Sequence, residues 1–440
     1  MISTWSGVSA ILLWYSQKDI ILKRQTKPPQ KATLGRILIL MKTENSKYRW
    51  YMLGLAMMAY LFIAGMSRMC MPVLFKEIST DLGLSMVAIG VVWGMDPLAG
   101  VFIGLPGGLI ADRFGVRLSM TVVCILAGLF GALRGLSINF LTMSASMFLF
   151  GLMAATMPTI VPKVTAQWFS GKGLGISNAV LNIMWSVGAM TATMFSATFL
   201  SPLLGGWKMV MFLYGMPCVI LGILWYFTGK EPESNGTERK EDGNSVSFKN
   251  SLSHVLRIRN VWIIGLVTLT FWGSSMGMIG YLPLYLRTIG WSPVSADSAI
   301  TILSGISIVG SVPVVLLSER LGSRKAVLII SIILGTLTLL LLPILSGLAV
   351  WILLIINGFM RTGVFALFNV IILEMKEVGS RYGGTAIGLV SSFGMIGAFA
   401  APPLGNSLTI YSPGLPFTFW AVLSLMGLPL FMLVRGTEKR

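Results

Sequence analysis

Three charged residues sit where this chain can least accommodate them. Arg68, Asp96 and Arg361 all fall inside long apolar runs. An ion at the centre of a membrane-spanning helix costs roughly 2.5–3.5 kcal/mol on insertion scales, so each needs a reason to be there. A guanidinium stays charged and grips a carboxylate or phosphate with two donors, so two arginines facing one cavity would make an anion clamp. Asp96 has two readings. It is either a counter-ion to Arg68 on a neighbouring helix or a carrier that takes up and releases a proton. The residues one turn away are small or polar: Asn357 and Gly358 beside Arg361, Ala64 and Gly65 before Arg68, Gly100 after Asp96. Such neighbours suit a packed or water-lined face better than a lipid-facing one. Asn357, Trp272, Tyr281, Asn182 and Trp185 are further candidates, able to stack on or hydrogen-bond a solute, although Trp and Tyr also pack ordinary helix interfaces. Arg134, at the end of its apolar run, reads as an anchor that extends its charge to the surface. Glu374 reads as a solvated boundary residue.

The elements that must position these groups are membrane helices. Of 440 residues, 55% are hydrophobic and 11% charged, with a mean hydropathy of +0.81. A soluble chain would carry about 25% charged residues. Runs long enough to cross a bilayer fall near 51–76, 86–111, 116–136, 140–162, 174–200, 207–228, 260–286, 297–317, 325–343, 349–373, 385–405 and 416–435. That makes twelve spans and leaves no room for a soluble domain. The single His254 and the three cysteines, all in apolar runs, argue against metal clusters, a His-based triad and a disulfide scaffold. No GxxxxGK[ST] loop is present for an ATP-driven pump. No cofactor is expected.

The net charge of +17 reports topology rather than a nucleic-acid partner. With the N-terminus placed inside, only Lys76, Arg134, Lys208 and Arg287 fall on the outer side, while the other basic residues outside spans gather on the inner side. By the positive-inside rule both termini are cytoplasmic, and the basic inner rim meets anionic lipid. Residues 1–50 read as a cytoplasmic tail, with Met41 an alternative start. Residues 51–228 form one six-helix bundle and 260–435 a second, and 436–440 is a short tail. The connection 229–259 begins polar and ends in SFKNSLSHVLRIRN, an amphipathic helix for the membrane surface.

The two bundles repeat each other. Asp112-Arg113-Phe114-Gly115-Val116-Arg117 recurs as Glu319-Arg320-Leu321-Gly322-Ser323-Arg324, a shift of 207. Gly151 and Gly358, Gly83 and Gly290, and Ser85 and Ser292 share that shift. Six helices per repeat give halves of the same orientation, related by an axis along the membrane normal. At the same shift Arg68, Asp96 and Arg361 fall on Ser275, Leu303 and Ala154. The three intramembrane charges therefore do not belong to the duplicated scaffold.

The segment GGLIADRFGVR resembles the signature of the major facilitator superfamily between its second and third helices. The match runs over Gly108, Asp112, Arg113, Gly115 and Arg117, with Leu118 where a second basic residue is usual. The later copy keeps Glu319, Arg320, Gly322, Arg324 and Lys325, with Val315 in place of the first glycine. The resemblance implies an all-α integral membrane fold of two six-helix bundles about a pseudo-two-fold axis. It also implies that the first, fourth, seventh and tenth helices line a central cavity, and that the motif latches the halves together on the inner side. The segments QWFSGKGLGIS and PLLGGWK loosely resemble some anion porters of that superfamily. The expectation is a transporter in the plasma membrane for a small, anionic solute, with a proton as candidate coupling partner. The competing expectation is an efflux antiporter in which Asp96 attracts lipophilic cations; the fifth span, lacking proline, argues against it. A solute sensor of the same fold would look the same in sequence.

Overall fold

The computed structural model describes residues 47–104, 111, 113–231 and 248–434. Gly108, Asp112, the tail 1–46, the polar part of the connection (232–247) and 435–440 lie outside them. Among the described residues, twelve helices are long and apolar enough to cross a membrane. In chain order they are α1 (Tyr48–Leu82), α2 (Met86–Ile103), α3 (Val116–Leu136), α4 (Phe140–Trp168), α5 (Gly173–Leu204) and α6 (Trp207–Thr228). Then come α7 (Arg259–Thr288), α8 (Pro293–Arg320), α9 (Arg324–Leu341), α10 (Leu348–Glu374), α11 (Gly379–Asn406) and α12 (Leu415–Met432). A surface helix, Phe248–Leu256, precedes α7 where the amphipathic segment predicts it. His254 holds it: the ring stacks on Tyr382 at 4.2 Å and one nitrogen meets the Glu377 carbonyl at 3.0 Å.

The sequence repeat is a structural repeat. Ser85 and Ser292 are the N-caps of α2 and α8, each accepting a hydrogen bond from the amide three residues on. Gly83 and Gly290 turn the chain before them with positive φ, 63° and 91°. The most telling pair is deeper. A Cβ on Gly151 of α4 would stand 2.7 Å from the Asp96 Cα of α2, and a Cβ on Gly358 of α10 would stand 2.6 Å from the Leu303 oxygen of α8. Asp96 and Leu303 are equivalent under the shift of 207, so both halves contain one backbone-to-backbone crossing, floored by glycine. One copy carries a leucine, 0% exposed, and the other an aspartate, 1% exposed.

The halves meet chiefly through α2 with α11 and α5 with α8. The four described hydrogen bonds between them all lie toward the side of the turns at 83–85 and 289–292, here called the hairpin side. Trp93 Nε1 donates to the Met276 carbonyl at 3.0 Å, and Asn406 Nδ2 to the Met86 carbonyl at 3.0 Å. Thr193 and Thr301 share a hydroxyl bond of 2.8 Å, and Thr198 donates to Asp297 Oδ2 at 2.7 Å. Gly90 lets α2 press on Pro402 and Pro403, which sit inside the last turn of α11 rather than beyond its end. On the opposite, linker side the described motif residues bond within their own half. The Arg117 amide donates to Glu231 Oε1 at 3.0 Å, and Arg324 pairs with Glu374 at 2.7 Å.

The crossing predicts a substitution outcome. Gly151→Ala forces α2 and α4 apart, because the obstacle is backbone, and should destabilise the protein by about 1–3 kcal/mol as overpacking does. Gly54→Ala, with nothing within 4 Å of the added carbon, is the control. Melting of the purified protein should drop for the first and hold for the second; equal melting would refute the crossing.

Candidate functional site

In the first half the site begins with an irregular helix. Residues Tyr60–Ser67 of α1 are wound as a π-helix, returning to α-helix at Arg68. Extra width of this kind is uncommon and concentrates at functional positions. The Arg68 amide bonds the Gly65 carbonyl, and the neighbouring Ala64 carbonyl accepts the Trp185 indole N–H at 3.0 Å. Gly65 and Gly188 let α1 and α5 touch backbone to backbone at this point. Trp185 therefore buttresses the turn that aims Arg68. The wide turn carries no sequence signal beyond small residues near it.

Arg68 forms an ion pair with Asp96 through Nε and Oδ2. The aspartate is enclosed, while the arginine side chain keeps 28% exposure. Asp96 Oδ1 accepts no hydrogen bond among the described residues. Removing water from an ion pair costs several kcal/mol per ion, so geometry alone must hold the charges. The counter-ion reading of Asp96 thus has a geometric basis.

Arg361 differs. Its Nη2 donates to Ser307 Oγ of α8 at 3.3 Å, and among the described residues no acidic partner pairs with it. Its Nε finds no acceptor. It lines a pocket between α7, α9, α10 and α12 with Ser274, Ser275, Ser331, Asn357 and Ser424. The cavity volume is ≈ 20 Å³, enough for about one water. The Ser275 hydroxyl there also lacks a partner, and it stands at the position equivalent to Arg68. Asn357 turns its amide to Thr338 Oγ1 at 2.7 Å, tying α10 to α9.

The other candidates divide. Trp272 lies against Phe365 with ring centroids 4.9 Å apart, on the α7–α10 contact one turn from Arg361. Tyr281 is 4% exposed, donates to the Pro413 carbonyl at 3.1 Å and sits among Tyr285, Phe417 and Trp420, away from the charges. Asn182 is exposed on α5, its amide bonded to the Asn178 carbonyl one turn back. Of the motif, Gly115 (φ 79°) and Gly322 (φ 64°) make the tight turns. Arg117 also donates to the Tyr226 carbonyl at 2.5 Å. Arg113, Glu319 and Arg320 are exposed.

Two charged groups were missed or misread from sequence. Arg134 is 0% exposed, not a surface anchor. The 3-10 turn Arg134–Leu136 directs its side chain back into the bundle, where the guanidinium covers the Phe150 ring at 4.3 Å. Asp297, 1% exposed, pairs with Arg287 at 2.5 Å while accepting from Thr198 of the other half. It lies at the edge of its apolar run, near the start of α8.

The chain spans about half the length of the curated relatives it matches. It is 28% identical over 40% of its length, and 41% of the other chain, to the Probable galactarate/D-glucarate transporter GudP of Bacillus subtilis (strain 168). It is 26% identical over 58% of each chain to the Probable nitrate/nitrite antiporter NarK1 of Thermus thermophilus. A solved bacterial homologue of the human lysosomal transporter Spinster, in an inward-facing and unoccupied conformation, shares the fold with TM-score 0.71. There 88% of this chain and 97% of that one align at 16% identity. The Major Facilitator Superfamily model matches residues 57–383 and 287–440. Twelve spanning helices in two like halves and this match make the chain a multi-pass membrane protein that belongs to the Major Facilitator Superfamily.

Proposed function

We propose that the protein is a secondary transporter that moves a small organic or inorganic anion across the plasma membrane by alternating access, with both termini cytoplasmic. The observation that carries this reading is Arg361, a guanidinium in mid-span with no acidic partner among the described residues. An uncompensated charge there is costly, and an anionic solute would supply the missing counter-charge. The unpartnered Arg361 Nε and Ser275 hydroxyl add donors for it. Relatives named for sugar acids and nitrate favour the same solute class. The competing efflux reading needs a free intramembrane carboxylate for a cation, and Asp96 is already paired with Arg68.

In this reading the halves rock about Arg68 and Arg361. The four hydrogen bonds on the hairpin side close one access route. Solute bound from one side neutralises the arginines, lets the halves close over it, and is released when the other side parts. Asn357 and Trp272 shape the second-half wall, and Trp185 steadies Arg68. The inner-surface motif, from Arg113 to Arg117 and Glu319 to Arg324, joins the halves only when the linker side shuts.

Three outcomes test this. Arg361→Gln should abolish uptake of D-glucarate or nitrate into proteoliposomes at undiminished reconstitution, and Arg361→Lys should recover part of it, lacking the two-pronged grip. Uptake by Arg361→Gln at the parental rate would sink the clamp. With Asp96 as counter-ion, Asp96→Asn should alter anion affinity and leave the response to an imposed pH gradient intact; loss of that response assigns the proton to Asp96. Oxidising a Thr193→Cys/Thr301→Cys pair should arrest uptake reversibly, since the native cysteines are buried and free. Continued flux through the cross-linked protein would exclude hairpin-side opening.

A further inference from the structure

Arg134 is the buried charge that the transport cycle above does not use. Its Nε donates to the Gly131 carbonyl at 3.0 Å, and Nη1 reaches Met147 Sδ at 3.8 Å. Nη2 has no hydrogen-bond partner among the described residues. Met147 and Phe150, which hold the guanidinium, occupy the turn of α4 that ends in Gly151, and Gly151 is pressed on the Asp96 backbone. Asp96 keeps an oxygen, Oδ1, that accepts nothing. Among the described residues, an unpartnered buried donor and an unpartnered buried acceptor thus flank one turn of α4. Among the described residues, Asp96 is a carboxylate whose charge acts on Arg134.

If an anion is to occupy Arg68, Arg68 must loosen its hold on Asp96. That would strand an enclosed carboxylate, which is strongly unfavourable when its partner is withdrawn. We propose that Arg134 is the standing counter-ion of Asp96, which frees Arg68 to take the substrate anion. This rests on the anion-transport reading. Arg134 touches no solute; it is a positioning residue that acts through Asp96. The equivalent of Arg134 in the second half is Leu341 and that of Asp96 is Leu303, so this pair is particular to the first half.

The test is anion-dependent thermal stabilisation of the detergent-purified, full-length protein, titrated with nitrate and with D-glucarate. Arg134→Met should leave Arg68 bound to Asp96 in most molecules and weaken the apparent affinity about ten-fold, in proportion to the fraction still competent. Arg134→Lys should keep affinity near the parental value. Adding Asp96→Asn to Arg134→Met should restore affinity, because the carboxylate that holds Arg68 is gone. Parental affinity in Arg134→Met, or a double variant as weak as the single, overturns the proposal. If Arg134→Met alone does not fold, the double variant should still fold and bind; a double variant that folds no better also overturns it. A parental protein that neither anion stabilises strikes down the anion reading instead. Ligand-free melting then decides the pairing: additive losses for Arg134→Met and Asp96→Asn refute it, and a double variant melting above Arg134→Met upholds it.

Discussion

A carboxylate enclosed at a backbone-to-backbone helix crossing constrains everything around it. Asp96 sits where α2 and α4 meet over Gly151 and is 1% exposed. Its charge has to be met from α1 or α3, and both supply arginine to the same interior. The π-wound stretch of α1, the Trp185 indole on Ala64 and the glycine contact of α1 with α5 serve one end, which is to bring Arg68 to that carboxylate. In the second half a leucine stands at the equivalent crossing and no such demand arises, and Arg361 has no acidic partner among the described residues.

The asymmetry follows from a shared scaffold. Both halves inherit the same caps, turn glycines and helix crossings. The intramembrane charges are additions to this frame, Asp96 and Arg134 enclosed and Arg68 still partly open. A duplicated bundle with one charged and one apolar copy of a site can hold a solute off its own axis and still move as two rigid bodies.

Much of this was legible in the sequence. The twelve spans, the repeat, the amphipathic surface helix and the three intramembrane charges all rest on period, apolar length and charge, which act locally. Arg134 and Asp297 escaped because both stand at the ends of apolar runs. There the fold of the chain, and not the run itself, decides between water and interior. The π segment escaped because the donor to its Ala64 carbonyl, the Trp185 indole N–H, lies far along the chain. Tyr281 looked like a cavity residue by type and span, yet its hydroxyl goes to the Pro413 carbonyl, a partner that no spacing within α7 could reveal.

The positive-φ glycines also mark where the two halves part in length. Gly83 and Gly115 have their counterparts at Gly290 and Gly322, but Gly171 corresponds to Gly379, one residue further on. Since Gly151 and Gly358 still keep the common shift, a single residue was gained or lost between them and the next turn. That places the length difference between Gly358 and Gly379, the stretch of α10 and its exit turn that also carries Arg361. Over this stretch the second half differs from the first in length as well as in charge, whereas the turns at Gly290 and Gly322 keep the common spacing.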